Sequence, residues 1–136
     1  MSLIEAINRE NYELADQLIM NRRDLDETNS YGNTPLMLLL RILHPFLDRR
    51  IVCLELITKL IDAGADVNIK DCDGYTALFC AVIFNHKIYT VRMLIDASAD
   101  VNIKNNYGKT ALSYVVKKNR TNSSVDTVKM LIEADF

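Results

Sequence analysis

Residues 71–78 read Asp-Cys-Asp-Gly-Tyr-Thr-Ala-Leu, and the pattern returns at residues 105–112 as Asn-Asn-Tyr-Gly-Lys-Thr-Ala-Leu. An earlier copy, Asn-Ser-Tyr-Gly-Asn-Thr-Pro-Leu, occupies residues 29–36. The glycines of the last two copies are 34 residues apart, and those of the first two are 42 apart. Self-similarity at a period of about 20 to 50 residues indicates a repeat protein, in which copies of one structural unit stack on each other.

Each copy predicts a tight turn that leads into a helix. The shared glycine suits a turn at positive φ, which only glycine adopts at little cost. The threonine two residues later can cap a helix, because its hydroxyl accepts an unpaired backbone N–H. These pairs are Gly32 and Thr34, Gly74 and Thr76, and Gly108 and Thr110. Pro35 stands at a first helical position, where its missing N–H is not needed. Apolar stretches predict first helices near 35–43, 77–85 and 111–119, and second helices near 48–63, 89–97 and 125–133.

A second motif closes each unit. Residues 60–68 read Leu-Ile-Asp-Ala-Gly-Ala-Asp-Val-Asn, and residues 94–102 repeat this with Ser98 in place of Gly64. Gly64 is predicted to end its helix in left-handed geometry. Ser98 and Asp135 occupy the matching positions of the next two units, and a non-glycine residue there costs about 1 kcal/mol. Those two helices are therefore predicted to end less firmly.

A D-x-x-G-x-T-P-L turn, two antiparallel helices and a G-A-D-V-N exit resemble the ankyrin repeat, over essentially the whole chain. The resemblance implies an all-α solenoid of about four stacked helix-turn-helix units, with short β-hairpin-like turns between them. We place the units near residues 1–28, 29–70, 71–104 and 105–136 of a single domain. The first is a degenerate capping unit with helices at 3–8 and 12–21, and its charged face suits the end of a stack. The resemblance also implies that aspartates and asparagines hold the turns through backbone hydrogen bonds.

The chain departs from the family pattern in the turns between its paired helices. Relative to a 33-residue unit, the second, third and fourth units carry about nine, one and four extra residues. Pro45 stops the first helix of the second unit and forces His44 out of helical geometry. Asp48 can then cap the next helix, while Phe46 and Leu47 either pack on the neighbouring turns or form an exposed contact. Because no polar capping unit follows the last helix, we expect a fragment of a longer protein, a self-associating end, or a last helix that is sufficient alone.

The sequence contains no recognisable catalytic constellation, so an enzyme, a cofactor and a bound metal are not expected. His44 and His86 fall in different turns and lack Cys, Asp or Glu partners at a zinc spacing. Cys80 is predicted to be core, and the dispersed glycines form no phosphate loop. Three cysteines without CxxC spacing favour a reducing compartment, so the predicted localisation is cytoplasmic, and delivery into a host cell stays open. The apolar runs are too short to span a membrane.

Ankyrin stacks bind proteins through their hairpin tips and the concave face of their first helices. Carried over by position, that resemblance predicts a partner-binding surface in this chain. Its candidate residues are Tyr31, Asn33, Arg41, Ile42, Asp73, Tyr75, Ile83, Phe84, Tyr107, Lys109, Lys117 and Lys118. Phe84 and Ile83 are the preferred anchors, because exposed aromatic and large apolar side chains dominate interface energies. Ordinary packing between units is the competing explanation for Phe84.

The leading hypothesis is a non-catalytic scaffold that binds a protein partner. The alternative is a targeting module from a larger enzyme or a host-directed effector, with catalysis elsewhere. The basic stretch 104–120 raises nucleic-acid binding, but no aromatic residues interleave with its charges, so a solvated face is favoured. The protein is expected to be a monomer that does not engage membranes, with self-association through the C-terminal end as an open alternative.

Overall fold

Eight α-helices make up the regular structure of the described part of the chain, and no strand occurs there. The computed structural model describes residues 1–42, 50–84, 88–117 and 122–134, without the side chains of Arg50, Lys117 and residues 122–125. The helices are α1 Leu3–Asn8, α2 Tyr12–Met20, α3 Pro35–Ile42, α4 Arg50–Asp62, α5 Ala77–Ile83, α6 Ile88–Asp96, α7 Ala111–Lys117 and α8 Asn122–Ala134. The predicted all-α architecture is confirmed, although α8 begins before the predicted residue 125. Within the same ranges, every helix is too short or too polar to cross a lipid bilayer.

The helices form two rows. The first helices of the units, α1, α3, α5 and α7, contact one another in that order, and each packs against the second helix of its own unit. The second helices α2 and α4, and α6 and α8, also contact each other. One apolar core runs between the rows, and its most buried side chains include Leu36, Leu40, Ile57, Leu78 and Leu94. Each unit buries its apolar face only against its neighbours, as in other solenoids.

Three turns with the same hydrogen bonds precede α3, α5 and α7. In the middle turn, Asp71 Oδ1 accepts the N–H groups of Asp73 and Tyr75, both at 2.9 Å. The main chain closes the turn where the Asp71 N–H donates to the Tyr75 carbonyl at 2.8 Å. Asn29 and Asn105 play the same part in the other two turns. The turn-holding role that the resemblance implies for these residues is confirmed.

Successive turns also bond to one another. The Cys72 N–H donates to the Tyr31 carbonyl at 3.0 Å, and the Asn106 N–H donates to the Asp73 carbonyl at 2.9 Å. Gly74 lies so close to the next turn that a Cβ there would be 2.8 Å from the Asn106 nitrogen. The stack therefore requires glycine at this position for the approach of its neighbour as well as for its φ of +83°.

The predicted caps are only partly correct. Thr34 Oγ1 accepts the Met37 N–H at 3.2 Å, as predicted. The prediction for Thr76 is wrong, because this N-cap residue makes no side-chain cap bond. Helix α5 is held by packing instead, since all its residues from Ala77 to Val82 are buried. Ser98 adopts a φ of +70°, which confirms the left-handed geometry predicted at the end of α6.

The exit turns link the first, second and third units. Asn68 Oδ1 accepts the Asp100 N–H at 2.7 Å, and Asn68 Nδ2 donates to the Ser98 carbonyl at 3.1 Å. One unit earlier, Asp26 Oδ1 accepts the Asp66 N–H at 2.8 Å.

Several predictions fall on residues outside the described ranges. These residues are His44, Pro45, Phe46, Leu47, Asp48, His86, Lys118 and Asp135.

Candidate functional site

The first-helix face is the surface formed by α3, α5, α7 and the turns at 29–33, 71–75 and 105–109. Its turns project because the Asx-type hydrogen bonds and positive-φ glycines reverse the chain before each helix. The apolar sides of its helices pack on the core, so the residues that reach solvent lie mainly at the turn tips and at the ends of the helices, with Ser113 of α7 also exposed. Every candidate residue named from the sequence belongs to this face or to the stretch that follows α7.

Arg41 connects two units on this face. Its guanidinium carbon lies 5.7 Å from the centroid of the Phe84 ring, and one of its nitrogens lies 3.5 Å from Asp71 Oδ2. Burial raises the pKa of the Cys80 thiol to about 11, and the positive charge of Arg41 partly opposes that rise. The Asp71 side chain is 4% exposed and that of Arg41 is 37% exposed, so the pair is partly screened by solvent. Phe84 therefore contacts the Arg41 cation through its ring and is still partly exposed to solvent.

Tyr75 and Tyr114 join the last two units through their hydroxyls. The two oxygens are 3.1 Å apart, and Asn105 Nδ2 donates to the Tyr114 hydroxyl at 2.9 Å. Both rings meet Phe79 edge-on, with centroid distances of 5.4 Å for Tyr75 and 5.9 Å for Tyr114. The hydrogen bond from Tyr114, followed by burial, raises the pKa of Tyr75 to about 12. The Tyr75 hydroxyl therefore stays protonated at neutral pH.

The predicted residues differ in their exposure. Tyr31, Tyr107 and Phe84 are 72%, 68% and 43% exposed, and Ile42 is 38% exposed. Asp73 and Lys109 are exposed, whereas Tyr75 and Ile83 are half-buried. Packing between units therefore does not bury Phe84 completely, and it stays a candidate anchor. The side chain of Lys117 and all of Lys118 lie outside the described residues. The binding role of the set stays a prediction.

Asn33 needs a correction. Its place in the first turn predicts an exposed residue of the binding surface, but Asn33 is 7% exposed. Its backbone N–H is held by Asn29 Oδ1 at 3.0 Å, and it leads directly into Thr34 and Pro35, which are also buried. Its own Oδ1 has no hydrogen-bond partner among the described residues. A buried residue offers little surface to a partner, so we remove Asn33 from the tip.

Sequence reasoning missed three residues of this face. Asp71 accepts the hydrogen bonds of its turn and also pairs with Arg41. Asn105 accepts the hydrogen bonds of its turn and also donates to the Tyr114 hydroxyl. Tyr114 lies six residues after its turn glycine, where the other units have Leu38 and Cys80. A polar aromatic residue at an otherwise apolar position was the available signal.

The far end of the stack exposes apolar side chains that earlier units cover. Three residues lie eight positions after their turn glycines: Leu40 is 0% exposed, Val82 is 7% and Val116 is 56%. In the second row, Ile132 is 45% exposed, whereas its counterparts Ile61 and Ile95 are half-buried. The earlier positions are covered because each packs against the unit that follows it in the stack. The described residues include no unit after α8, so Val116 and Ile132 stay exposed.

A family model for ankyrin repeats matches residues 50–136, in three copies. The chain belongs to the ankyrin-repeat family. Ankyrin repeats are generally modules for protein–protein interaction, and the family is typically non-catalytic. No curated protein matches the chain.

The ankyrin stack provides few groups for chemistry in its described part. No group of three or more His, Cys, Asp or Glu side chains there is placed to hold a metal ion. Two aspartates of the turns serve the backbone, since Asp66 Oδ1 accepts the Asn68 N–H and Asp71 Oδ1 accepts the Tyr75 N–H. Cys53 and Cys80 are buried and Cys72 is exposed at a turn tip, and none of the three forms a disulfide within the described residues. The prediction of Cys80 as a core residue is confirmed.

Proposed function

We propose that this ankyrin-repeat protein binds a protein partner along the first-helix face, with Phe84 as the central anchor. The observation that carries the proposal is the Phe84 ring, which is 43% exposed and held against Arg41. An aromatic ring that is already ordered loses little conformational freedom when a partner covers it. Such side chains are the usual energetic centres of protein interfaces.

The neighbouring residues support the same surface. Ile42 is exposed, and Ile83, which precedes Phe84 in the sequence, is half-buried, so both can add apolar area to the contact. Tyr31 and Tyr107, at the first and third turn tips, add large amphipathic side chains that are more than half exposed. A partner that spans the turns and the ends of the first helices would cover apolar centre and polar rim together.

Quantitative capture from a cell extract tests the proposal. The immobilised 136-residue chain is compared with Phe84→Ala and with Tyr89→Ala, a control in α6 of the second row. The two aromatic residues are matched in exposure, at 43% and 40%. We expect Phe84→Ala to reduce capture of specific partners by at least about tenfold, as for an interface hot spot. Tyr89→Ala is expected to leave capture unchanged.

Circular dichroism must first show that both variants keep the helical content and unfolding midpoint of the parent chain. If both folded variants then capture the same proteins as the parent, Phe84 is not an anchor and the proposal fails. Loss of capture with Tyr89→Ala alone would move the binding surface to the second row. The alternative hypothesis, a targeting module of a larger enzyme or effector, uses the same surface and is tested by the sequence of the complete gene.

A further inference from the structure

The residue that holds the middle turn is an aspartate, whereas the matching residue of the other two turns is an asparagine. Asn29, Asp71 and Asn105 each accept two backbone N–H groups of their own turn through Oδ1, at 2.9 to 3.0 Å. An asparagine is therefore sufficient to hold such a turn. The negative charge of Asp71 needs a different explanation, because its second oxygen takes no part in those bonds.

The second carboxylate oxygen of Asp71 lies next to a cation of the preceding unit. Asp71 Oδ2 is 3.5 Å from Arg41 Nη2, and the Asp71 side chain is 4% exposed. A buried anion is costly unless a cation or hydrogen-bond donors offset its charge. An asparagine whose oxygen holds the turn would turn its N–H donors toward the guanidinium. Because a guanidinium also has only donors, those two groups could not bond.

The repeat shows that the two charges occur together. Arg41 lies nine positions after its turn glycine, and Ile83 occupies the matching position one unit later. The turn that follows Arg41 has Asp71, whereas the turn that follows Ile83 has Asn105. The Asn105 Nδ2 group donates instead to the Tyr114 hydroxyl at 2.9 Å. Of these two unit boundaries, the one with an arginine has the carboxylate that pairs with it.

Arg41 also contacts the Phe84 ring. Its guanidinium carbon lies over that ring, 5.7 Å from the centroid. The Phe84 backbone is fixed at the end of α5, where its N–H donates to the Cys80 carbonyl at 3.1 Å. The side chain is 43% exposed, so rotation about its own bonds is what moves the ring. A cation held over the ring face favours the observed orientation over those that carry the ring away from it.

We infer that Asp71 is a positioning residue for the Phe84 anchor, because its carboxylate holds Arg41 over the ring and Arg41 in turn holds the ring. The inference rests on the proposed function and assigns Arg41 to the support of the anchor. An anchor that is already oriented loses less conformational entropy when a partner binds. Since Arg41 and Asp71 neutralise each other, the pair gives no preference for a charged partner.

Nuclear magnetic resonance of the free chain tests the geometry without any partner. The Arg41 Nε–H signal is identified by its absence from Arg41→Gln. Ring current should place this signal upfield in the parent relative to Phe84→Ala. We expect Asp71→Asn to move the signal most of the way to its position in Phe84→Ala, since the guanidinium is then released from the ring. Circular dichroism should show an unchanged helical content, because Asn29 and Asn105 hold the same turn in the native chain.

Asp100→Asn is the matched control. Asp100 is an exposed aspartate of an exit turn, and its Oδ1 accepts the Asn102 N–H at 2.9 Å. The change therefore removes one negative charge and keeps a turn acceptor, as Asp71→Asn does, but away from the first-helix face. We expect the Arg41 signal to be unchanged in this variant.

Capture from cell extract tests the effect on binding, and it is measured for those proteins whose capture depends on Phe84. We expect Asp71→Asn to reduce their capture about threefold, within the range for a partly exposed ion pair, and Asp100→Asn to leave it unchanged. Arg41→Gln should reduce capture at least as much. Adding Asp71→Asn to Arg41→Gln should cause no further loss, because Asp71 acts through Arg41.

The other outcomes refute the inference in distinguishable ways. An Arg41 signal at the same position in Asp71→Asn and the parent would show that Asp71 does not hold the guanidinium. Equal loss of capture with Asp71→Asn and Asp100→Asn would reduce the effect to net charge. Further loss in the double variant would mean that Asp71 affects binding by another route.

Failure of the proposed function has its own result. If Phe84→Ala leaves capture intact while the Arg41 signal responds as expected, the geometry is correct but no anchor exists, and the inference fails with the proposed function. Capture that depends on Phe84 and not on Asp71 would refute the inference alone.

Discussion

Two glycines with the same backbone geometry and different surroundings provide a direct test of the stacked turns. Gly74 and Gly108 have φ values of +83° and +73°, so alanine is strained at both. That shared strain costs about 1 kcal/mol. Around Gly108 nothing lies within 4 Å of an added Cβ. At Gly74, the added Cβ would be 2.8 Å from both the backbone nitrogen and Oδ1 of Asn106.

The extra cost at Gly74 comes from the neighbouring turn. A backbone atom at that distance must move, and overpacking of this kind costs about 1 to 3 kcal/mol. The movement also strains the Asn106 N–H bond to the Asp73 carbonyl and the Asn106 Nδ2 bond to the Cys72 carbonyl, both 2.9 Å long. We therefore expect Gly74→Ala to lower the free energy of unfolding by about 2 to 4 kcal/mol, and Gly108→Ala by about 1 kcal/mol.

Urea unfolding followed by far-ultraviolet circular dichroism measures both variants against the parent chain. The comparison is valid where the dependence of free energy on urea is the same for all three proteins. Equal destabilisation of the two variants, within about 0.5 kcal/mol, would show that the turns at 71–75 and 105–109 are not in contact in solution. That result would refute the register of the stack.

Three further predictions concern the helix ends, the core thiol and the exposed apolar side chains of the last unit. Both Ser98 and Gly64 have left-handed backbone geometry, so Ser98→Gly should raise the free energy of unfolding by about 1 kcal/mol and Gly64→Ser should lower it by a similar amount. An unchanged urea midpoint for Ser98→Gly would contradict the assigned cap. Burial raises the pKa of the Cys80 thiol from 9.0 to about 11, because it disfavours the charged thiolate. The contribution of the buried, protonated thiol to the free energy of unfolding is therefore fully present below pH 9 and is lost as the pH rises to 11. Between pH 8 and pH 11, the free energy of unfolding of the parent should therefore fall by about 2 to 3 kcal/mol more than that of Cys80→Ala, as measured by urea titration. An equal fall in the two proteins would exclude the thiol as the cause. The exposed Val116 and Ile132 should give weak self-association at high protein concentration, which light scattering after size exclusion measures. Replacing both residues by serine should abolish the association. Association that survives in that variant would place the contact elsewhere.

Much of the local structure follows from residue types at fixed spacings. The turn glycines, the Asx residue three positions before each and the apolar stretches predicted eight helices close to their observed bounds. These features act through backbone geometry and hydrogen bonds within a few residues, so the sequence contains all the participants. Pro35 and the Thr34 cap are correct for the same reason.

The candidate site was predictable only in outline. Exposure of Phe84, Tyr31 and Tyr107 follows from their places in the repeat. The burial of Asn33 does not, because its counterparts Tyr75 and Lys109 are progressively more exposed at the matching position. Which side chain is covered depends on the neighbouring unit, and neighbouring units differ in sequence.

The repeated octapeptide at 29–36, 71–78 and 105–112 by itself determined the family, the pairing of helices and the three turns. Only the tertiary structure decided how adjacent units touch: Arg41 contacts Asp71 and the Phe84 ring, and the Tyr75 hydroxyl contacts the Tyr114 hydroxyl. These contacts join residues 30 to 43 positions apart in the chain. Their geometry depends on the directions of side chains across a unit boundary, which a repeat pattern does not specify.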